Sequence, residues 1–172
     1  MPPLEAFRAR YGAVVRCIVV FLVVLGGLSL LIESELGQRR MVVPFTVFVT
    51  GCAARILSLF GPSTSSGTLL SYRSFAVDIL GGCSGDIVHA VFLAGILGFP
   101  ASWRARAWGF VLGMPAVFLI NQIRIVVLCL LGYHQPSWFD SAHLFFGQAG
   151  VIVGTLAIWM IWIELFTPRA AR

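Results

Sequence analysis

Charged residues are scarce in this chain. They make up 11% of its 172 residues, whereas a soluble domain carries about 25%. Hydrophobic residues make up 59%, and mean hydropathy is +0.94. This balance excludes a soluble globular domain, a disordered chain and a disulfide scaffold. It predicts an all-α fold in which residues 1–172 form a single integral-membrane domain, a multi-pass transmembrane helical bundle.

Lysine is absent, and no basic run occurs. All twelve basic residues are arginines spread thinly along the chain, and together with seven acidic residues they give a net charge of +5. Nucleic-acid binding needs a clustered basic patch, so we expect no nucleic-acid partner. The distribution of the arginines instead predicts which side of the membrane each loop occupies.

Cysteine pairs at redox or metal-binding spacing are also missing. Cysteines occur at positions 17, 52, 83 and 129, none forms C-x-x-C, and the three histidines are scattered. We therefore expect no metal site and no cofactor. Cys17 and Cys129 lie inside apolar runs, which is typical of small buried hydrophobic residues.

Long apolar runs predict four membrane spans, because about 20 such residues cross the hydrocarbon core. The predicted spans are at about 13–32, 86–102, 107–131 and 143–165. A fifth apolar segment lies at about 41–60, but Arg40 and Arg55 bracket only fourteen uncharged residues (41–54), and this short length favours an interfacial or re-entrant helix. The first run resembles a signal peptide but has no clear cleavage site, so we interpret it as a retained anchor.

The connection between the first two spans contains a turn-like segment and a possible hairpin. Residues 61–67 (GPSTSSG) have the composition of a turn region. Residues 68–80 (TLLSYRSFAVDIL) could form a short hairpin-like segment over the outer membrane surface.

Four spans place both termini and the 101–107 loop on one side. By the positive-inside rule, the arginine-richer side is cytoplasmic. The termini side carries seven arginines and the other side four, namely Arg8, Arg10, Arg16, Arg104, Arg106, Arg169 and Arg172 against Arg39, Arg40, Arg55 and Arg73. We therefore expect cytoplasmic termini.

One arginine lies where topology does not explain it. Arg124 is about eight residues from the outer end of the third span, or roughly 12 Å deep. Asn121, three residues earlier, shares its helix face. Arg124 can be a structural residue that snorkels or pairs with a carboxylate. Alternatively, it forms an anion site for a thiolate, an oxyanion or a substrate carboxylate.

Cys83 lies in a glycine-rich turn directly before the second span. The sequence GGCSGD places Ser84 and Gly85 beside it, and the glycines allow a tight turn and close approach of a substrate backbone. A thiolate is favoured at a helix N-terminus. Asp86 opposes a thiolate, and Arg124 could offset that effect. A buried, inert cysteine is the alternative interpretation.

His143 enters the last span three residues after Asp140. An aspartate within reach of a histidine can fix its tautomer, although a lone interfacial histidine is usually structural. His89 points to the opposite face from Cys83, and His134 lies in a loop. In the four-span topology, Cys83, Arg124 and His143 come from different elements but lie on one side of the membrane. This combination favours cysteine–histidine acyl transfer.

Three motifs carry a family resemblance. GGCSG (81–85), NQIR (121–124) and FDSAH (139–143), with PFT (44–46) and LSLFG (57–61), resemble the exosortase/archaeosortase family of membrane cysteine transpeptidases. The similarity covers about residues 41–165 and is greatest to the short exosortase H type. The chain departs from the family pattern at Asp86.

The resemblance implies an activity and its site. A membrane cysteine peptidase of this kind would cleave C-terminal sorting signals (PEP-CTERM-like) of exported proteins and transfer the acyl group to an acceptor. The signal comprises a short motif, a transmembrane helix and a basic tail. Cys83 would be the nucleophile, Arg124 the stabiliser of the thiolate or oxyanion, and His143 the general acid/base. The enzyme would lie in the bacterial inner membrane, with its active site facing the periplasm.

Two other functions stay open. A membrane thiol–disulfide oxidoreductase would need a second reactive cysteine, and Cys52 is the one expected outside the membrane with Cys83. A non-catalytic assembly subunit would need none of the three site residues.

Overall fold

The computed structural model describes residues 2–167, without the side chains of residues 2–10 and 146. Arg169 and Arg172, which enter the predicted charge partition, lie outside the described residues. Five helices and one small sheet make up the described fold, and the all-α membrane bundle predicted from composition is confirmed. The helices are α1 (Pro2–Glu33), α2 (Glu35–Leu57), α3 (Asp86–Gly98), α4 (Trp103–His134) and α5 (Pro136–Phe166).

Three of the helices contain a wider π-helical segment. These segments are Gln38–Val42 in α2, Gly109–Gly113 in α4 and Ala142–Gly147 in α5, which also begins with a 3-10 turn at Pro136–Trp138. Within residues 2–167, four helical stretches are long and apolar enough to cross a membrane. They are Tyr11–Glu33, Glu35–Leu57, Trp103–His134 and Pro136–Phe166.

The bounds of two helices differ from the spans expected from the sequence. The segment expected at 41–60 is one helix over Glu35–Leu57, because Ser34 caps it and the arginine pair at 39–40 lies exposed on its surface without interrupting it. The span expected at 86–102 has only 13 residues, Asp86–Gly98. Phe99 is extended (φ −72°, ψ 141°) because a residue before proline disfavours the helical region.

Contacts at small residues show that α1, α3, α4 and α5 alternate in direction. Gly98 of α3 lies against Cys17 and Phe21 of α1, while Leu28 and Ile32, later in α1, share a cavity with His89 near the start of α3. Thus α1 and α3 are antiparallel.

The other two helices of the bundle continue this alternation. Against α4, Gly85 lies beside Asn121 and Phe92 beside Gly113, so α3 and α4 are antiparallel. Between α5 and α4, Gly147 contacts Leu128 and Arg124, whereas Trp162 approaches Gly109. Helix α5 therefore also runs opposite to α4.

Helix α2 packs along the C-terminal half of α4 and runs in the same direction as α4. Phe48 packs against Phe118 at 5.7 Å between ring centroids, and Val49 O accepts a hydrogen bond from Gln122. Leu57, at the end of α2, joins the same core cluster as Cys129. Because α1 and α4 are both antiparallel to α3, α2 also continues in the direction of α1 and is not a return pass between α1 and α3.

A three-stranded antiparallel sheet covers the C-terminal ends of α2 and α4. Its strands are β1 (Ser63–Ser66), β2 (Leu69–Tyr72) and β3 (Phe75–Asp78), in the order β1-β2-β3. The predicted hairpin is β2–β3, with Tyr72 opposite Phe75. The predicted turn region at 61–67 instead contains strand β1.

Two core clusters lie at opposite ends of the molecule. The cluster beneath the sheet contains Leu57, Leu70, Tyr72 and Cys129, among others. The second cluster gathers Phe92, Ile96 and Trp162 near the turn between α3 and α4. The loop that joins β3 to α3 contributes Ile79 to the first cluster, and Cys83 in this loop packs against the same cluster.

Candidate active site

The structure brings Cys83, Arg124 and His143 together. The Sγ atom of Cys83 lies 3.1 Å from His143 Nε2 and accepts a hydrogen bond from Arg124 Nη2 at 3.7 Å. The three side chains come from the β3–α3 loop, from α4 and from the π-helical part of α5. The thiol is thus within hydrogen-bonding reach of one possible base and one cation.

The loop around Cys83 is held by the side chain of Asp86. Asp86 Oδ1 accepts hydrogen bonds from Ser84 Oγ at 2.8 Å and from the Gly82 backbone N–H at 3.3 Å. The Cys83 N–H donates to Leu80 O, closing a tight turn. Asp86 therefore braces the turn that presents Cys83, a role the sequence did not reveal.

Gly85 connects this turn to the first residue of α3. Its φ is +88°, a left-handed conformation that only glycine adopts without strain. A Cβ atom at Gly85 would lie 2.8 Å from Asn121 Nδ2. The glycine therefore allows both the sharp turn and the close approach of α4.

Asn121 joins the Cys83 loop to Arg124. It is fully buried, and its Nδ2 donates to Ser84 O at 2.8 Å and weakly to Cys83 O at 3.5 Å. Its Oδ1 accepts from Arg124 Nη1 at 3.4 Å. The pairing of Asn121 and Arg124 on one helix face, expected from their spacing, is present.

Arg124 is 9% exposed and has no carboxylate partner among the side chains that the structure describes. Its Nε is buried without a hydrogen-bond acceptor and faces Gly147 of α5. The side chain lies ten residues before the end of α4, roughly 15 Å along the helix. Since a buried cation without a counter-ion is costly, this arrangement favours the anion-site interpretation over a structural ion pair.

His143 is half-buried and stacks on Phe139, with ring centroids 6.0 Å apart and planes 15° apart. Phe139 in turn packs edge-on against Phe75 of β3 at 5.2 Å. The aromatic residue four positions before the histidine is the signal that sequence reasoning missed. These two rings orient the imidazole towards Cys83.

The expected support of His143 by Asp140 is absent. Asp140 is exposed, and its side chain makes no hydrogen bond or ion pair with any part of the chain that the structure describes. Residues three apart face each other on an α-helix, but the wider π-helix that begins at Ala142 breaks this relation.

The other two histidines do not enter the site. His89 bonds through Nδ1 to Gly85 O at 2.6 Å and packs against Phe45, away from Cys83. His134 is exposed at the end of α4. Within residues 2–167, no group of three or more His, Cys, Asp and Glu side chains has the arrangement of a metal site.

A cavity of about 190 Å³ opens at the cysteine. Its lining includes Cys83, Arg124 and His143, the end of β3 with the two residues after it (77–80), and apolar side chains of α4. Cys129 also lines this cavity, whereas Cys52, expected from the sequence as the partner for a thiol pair, does not. All four cysteines are free thiols.

The family of the chain follows from comparison with known proteins. A sequence model of the family described as transmembrane exosortase (Exosortase_EpsH) matches residues 7–161. No curated protein and no solved structure matches the chain. The family match spans most of the chain and includes all three motifs that carried the resemblance. The chain belongs to the transmembrane exosortase family.

Proposed function

We propose that this protein is a membrane cysteine transpeptidase. It cleaves exported proteins near a C-terminal sorting signal (PEP-CTERM-like) and transfers the new carboxyl end to an acceptor nucleophile. The single observation that carries this proposal is the cysteine thiol, which lies 3.1 Å from an imidazole nitrogen and 3.7 Å from a guanidinium nitrogen. Nucleophile, base and cation in one cavity are the requirements of acyl transfer through a thioester.

In the first half-reaction, Cys83 forms a bond to the scissile carbonyl carbon. The thiol proton passes to His143 Nε2, and the thiolate sulfur attacks the carbonyl. The peptide C–N bond then breaks, and the imidazolium returns the proton to the leaving amine. The products are a thioester on Cys83 and a released C-terminal segment with a free amino end.

In the second half-reaction, the acceptor resolves the thioester. His143 removes a proton from the acceptor nucleophile, which attacks the thioester carbonyl. The C–S bond breaks, and the sulfur recovers a proton from the imidazolium. With water as the acceptor, the same steps give hydrolysis.

Arg124 supplies the positive charge for both tetrahedral intermediates. In the Cys83 turn, the N–H groups of residues 82 and 83 are already bonded, to Asp86 and to Leu80 O. The guanidinium, which already donates to the Cys83 sulfur, is close enough to donate to the developing oxyanion. Its low exposure strengthens the interaction, because little water screens it.

A lateral cavity supports a substrate that is itself membrane-anchored. About 430 Å³ of space lies between α4 and α5, lined mainly by aliphatic side chains and by Arg124 on its inner side. Gly150 lines this cavity and has open space around it, whereas Gly147 and Gly154 pack against α4. A substrate helix could enter from the lipid at Gly150 and bring its adjoining segment to Arg124.

The alternating helix directions support the proposed topology. We propose that α1, α3, α4 and α5 cross the inner membrane, with both termini cytoplasmic and the sheet on the periplasmic side. Helix α3 is only about 20 Å long, so the Cys83 loop would lie below the outer surface of the bilayer. The site would then be recessed beneath the sheet and the C-terminal ends of α2 and α4.

The test is co-expression with a reporter that carries a short motif, a transmembrane helix and a basic tail at its C-terminus. We expect the wild type to remove the tail. We expect Cys83→Ala to abolish processing, and Arg124→Ala and His143→Ala to reduce it at least about 100-fold. Trp103→Ala, at an exposed position remote from the site, is the matched control.

The result that contradicts the proposal is equal processing by the wild type and Cys83→Ala, or none by the wild type. Two further variants separate transpeptidation from thiol–disulfide exchange. Both Cys52→Ala and Cys129→Ala should retain processing, since neither thiol takes part in acyl transfer. Loss of activity in Cys129→Ala, which lines the same cavity, would favour exchange between two thiols.

A further inference from the structure

Strand β3 has a free edge. The sheet order is β1-β2-β3, and no strand in residues 2–167 pairs with the other side of β3. The N–H of Ile79 donates to Thr68 O at 2.9 Å, which fixes the alternation of the ladder. Phe75 and Val77 therefore bond towards β2. The N–H and C=O groups of Ala76 and Asp78 point away from the sheet, and both residues are exposed.

This free edge adjoins the cavity of the active site. Residues 77–80 form one wall of the cavity that contains Cys83 and His143. The ring of Phe75 packs against Phe139, which stacks on His143. The strand is thus fixed relative to both the nucleophile and the base.

We propose that the free edge of β3 binds the substrate as an additional β-strand. The occupant is the extended segment of the exported protein next to the scissile bond, so this inference rests on the proposed function. Unpaired strand edges commonly bind extended peptides through backbone hydrogen bonds. The outward N–H and C=O groups of Ala76 and Asp78 hold that segment, and it continues towards Cys83.

The chemistry of cleavage requires an extended segment here. A helical substrate keeps its peptide groups in its own hydrogen bonds, whereas a paired strand presents each carbonyl in a fixed direction. The cavity of about 190 Å³ is mostly apolar apart from Asp78 and the site residues. The cavity therefore accommodates one small or medium apolar side chain of the substrate. Strand β3 forms hydrogen bonds with the substrate backbone, whatever the substrate sequence.

Proline variants test this pairing, because proline removes the N–H and is tolerated where that group faces outward. The probes are Ala76→Pro and Asp78→Pro, assayed as purified enzyme with the purified sorting-signal reporter. We expect each to lower kcat/KM about tenfold, the effect of losing a hydrogen bond and placing a ring in the pairing edge. The rate of Cys83 alkylation by N-ethylmaleimide should change little, since Cys83, Arg124 and His143 all remain.

Two matched controls separate backbone pairing from other causes. Ser65→Pro removes an outward N–H from β1, the opposite edge of the sheet, and should process the reporter normally. Asp78→Ala removes a carboxylate that lines the cavity but keeps the backbone N–H, and should lose clearly less activity than Asp78→Pro. Losses in either control equal to those of Asp78→Pro would overturn the pairing.

A second measurement covers the case in which the β3 prolines disturb folding and slow alkylation. Proline is then placed at successive reporter positions before the cleavage site, with wild-type enzyme. Pairing predicts losses that alternate every two residues; uniform tolerance would overturn it. Normal processing by both β3 variants overturns the pairing alone, whereas an uncleaved reporter with wild-type enzyme overturns the proposed function.

Discussion

Replacing Gly85 by alanine tests how the Cys83 loop is positioned. The glycine has φ +88°, which costs an L-residue about 1–2 kcal/mol. The added Cβ would lie 2.8 Å from Asn121 Nδ2, so the amide must move and lose its bond to Ser84 O. That bond contributes about 0.5–1.5 kcal/mol. We therefore expect Gly85→Ala to lower the free energy of unfolding by about 1.5–3.5 kcal/mol.

The same substitution should reduce activity more than stability alone explains. Asn121 Oδ1 accepts from Arg124 Nη1, so a displaced amide also displaces the guanidinium beside Cys83. A misplacement of about 1 Å can cost about 100-fold in rate. We expect a loss of that order in reporter processing, measured at a temperature where the variant is folded.

Neighbouring glycines supply graded controls. Gly82 has φ +86° but open space around its Cβ position, so Gly82→Ala should cost about 1–2 kcal/mol and leave Asn121 in place. Gly81 has neither a positive φ nor a close contact, so Gly81→Ala should be nearly neutral. The assay is thermal unfolding in detergent, followed by tryptophan fluorescence, together with processing. Equal effects of Gly85→Ala and Gly82→Ala in both measurements would refute the role assigned to Asn121.

Three further substitutions give distinct expected results. Arg124→Lys should lower processing at least about tenfold, because an ammonium cannot reproduce the guanidinium's two separate bonds; wild-type processing would contradict this. Asp140→Asn should process normally, since that carboxylate is exposed and unpaired; a large loss would show that it acts on His143. Trp162→Phe removes the donor to Ala105 O at 2.7 Å and should lower unfolding free energy by about 1–3 kcal/mol without affecting processing. An unchanged melting curve would contradict that estimate.

The bundle was predictable from the sequence because apolar runs and charges determine it, and the family was predictable because three short motifs carry its resemblance. The position of Arg124 inside a span drew attention to α4, and its i−3 neighbour Asn121 lies on the same face, as helix geometry requires. The three motif residues were expected on one side of the membrane. Their actual distances depend on packing between distant segments, which only the structure gives.

Other features depended on contacts that no local pattern encodes. The lack of an Asp140–His143 bond follows from a π-helical segment, and the bracing by Asp86 follows from a tight turn. Strand β1 is serine-rich, and its pairing with β2 overrides its turn-like composition. Cys129 shares the Cys83 cavity because α4 packs over the loop, which cysteine spacing could not reveal.

The thioester on Cys83 is the central claim, and intact mass spectrometry tests it most directly. Wild-type protein is mixed with the reporter, quenched in acid and compared with Cys83→Ala. A mass increase equal to the reporter's N-terminal fragment, located at Cys83 by peptide mapping and removed by hydroxylamine, is the predicted result. Processing of the reporter with no such adduct under any quench condition, or an adduct that persists in Cys83→Ala, would contradict the account.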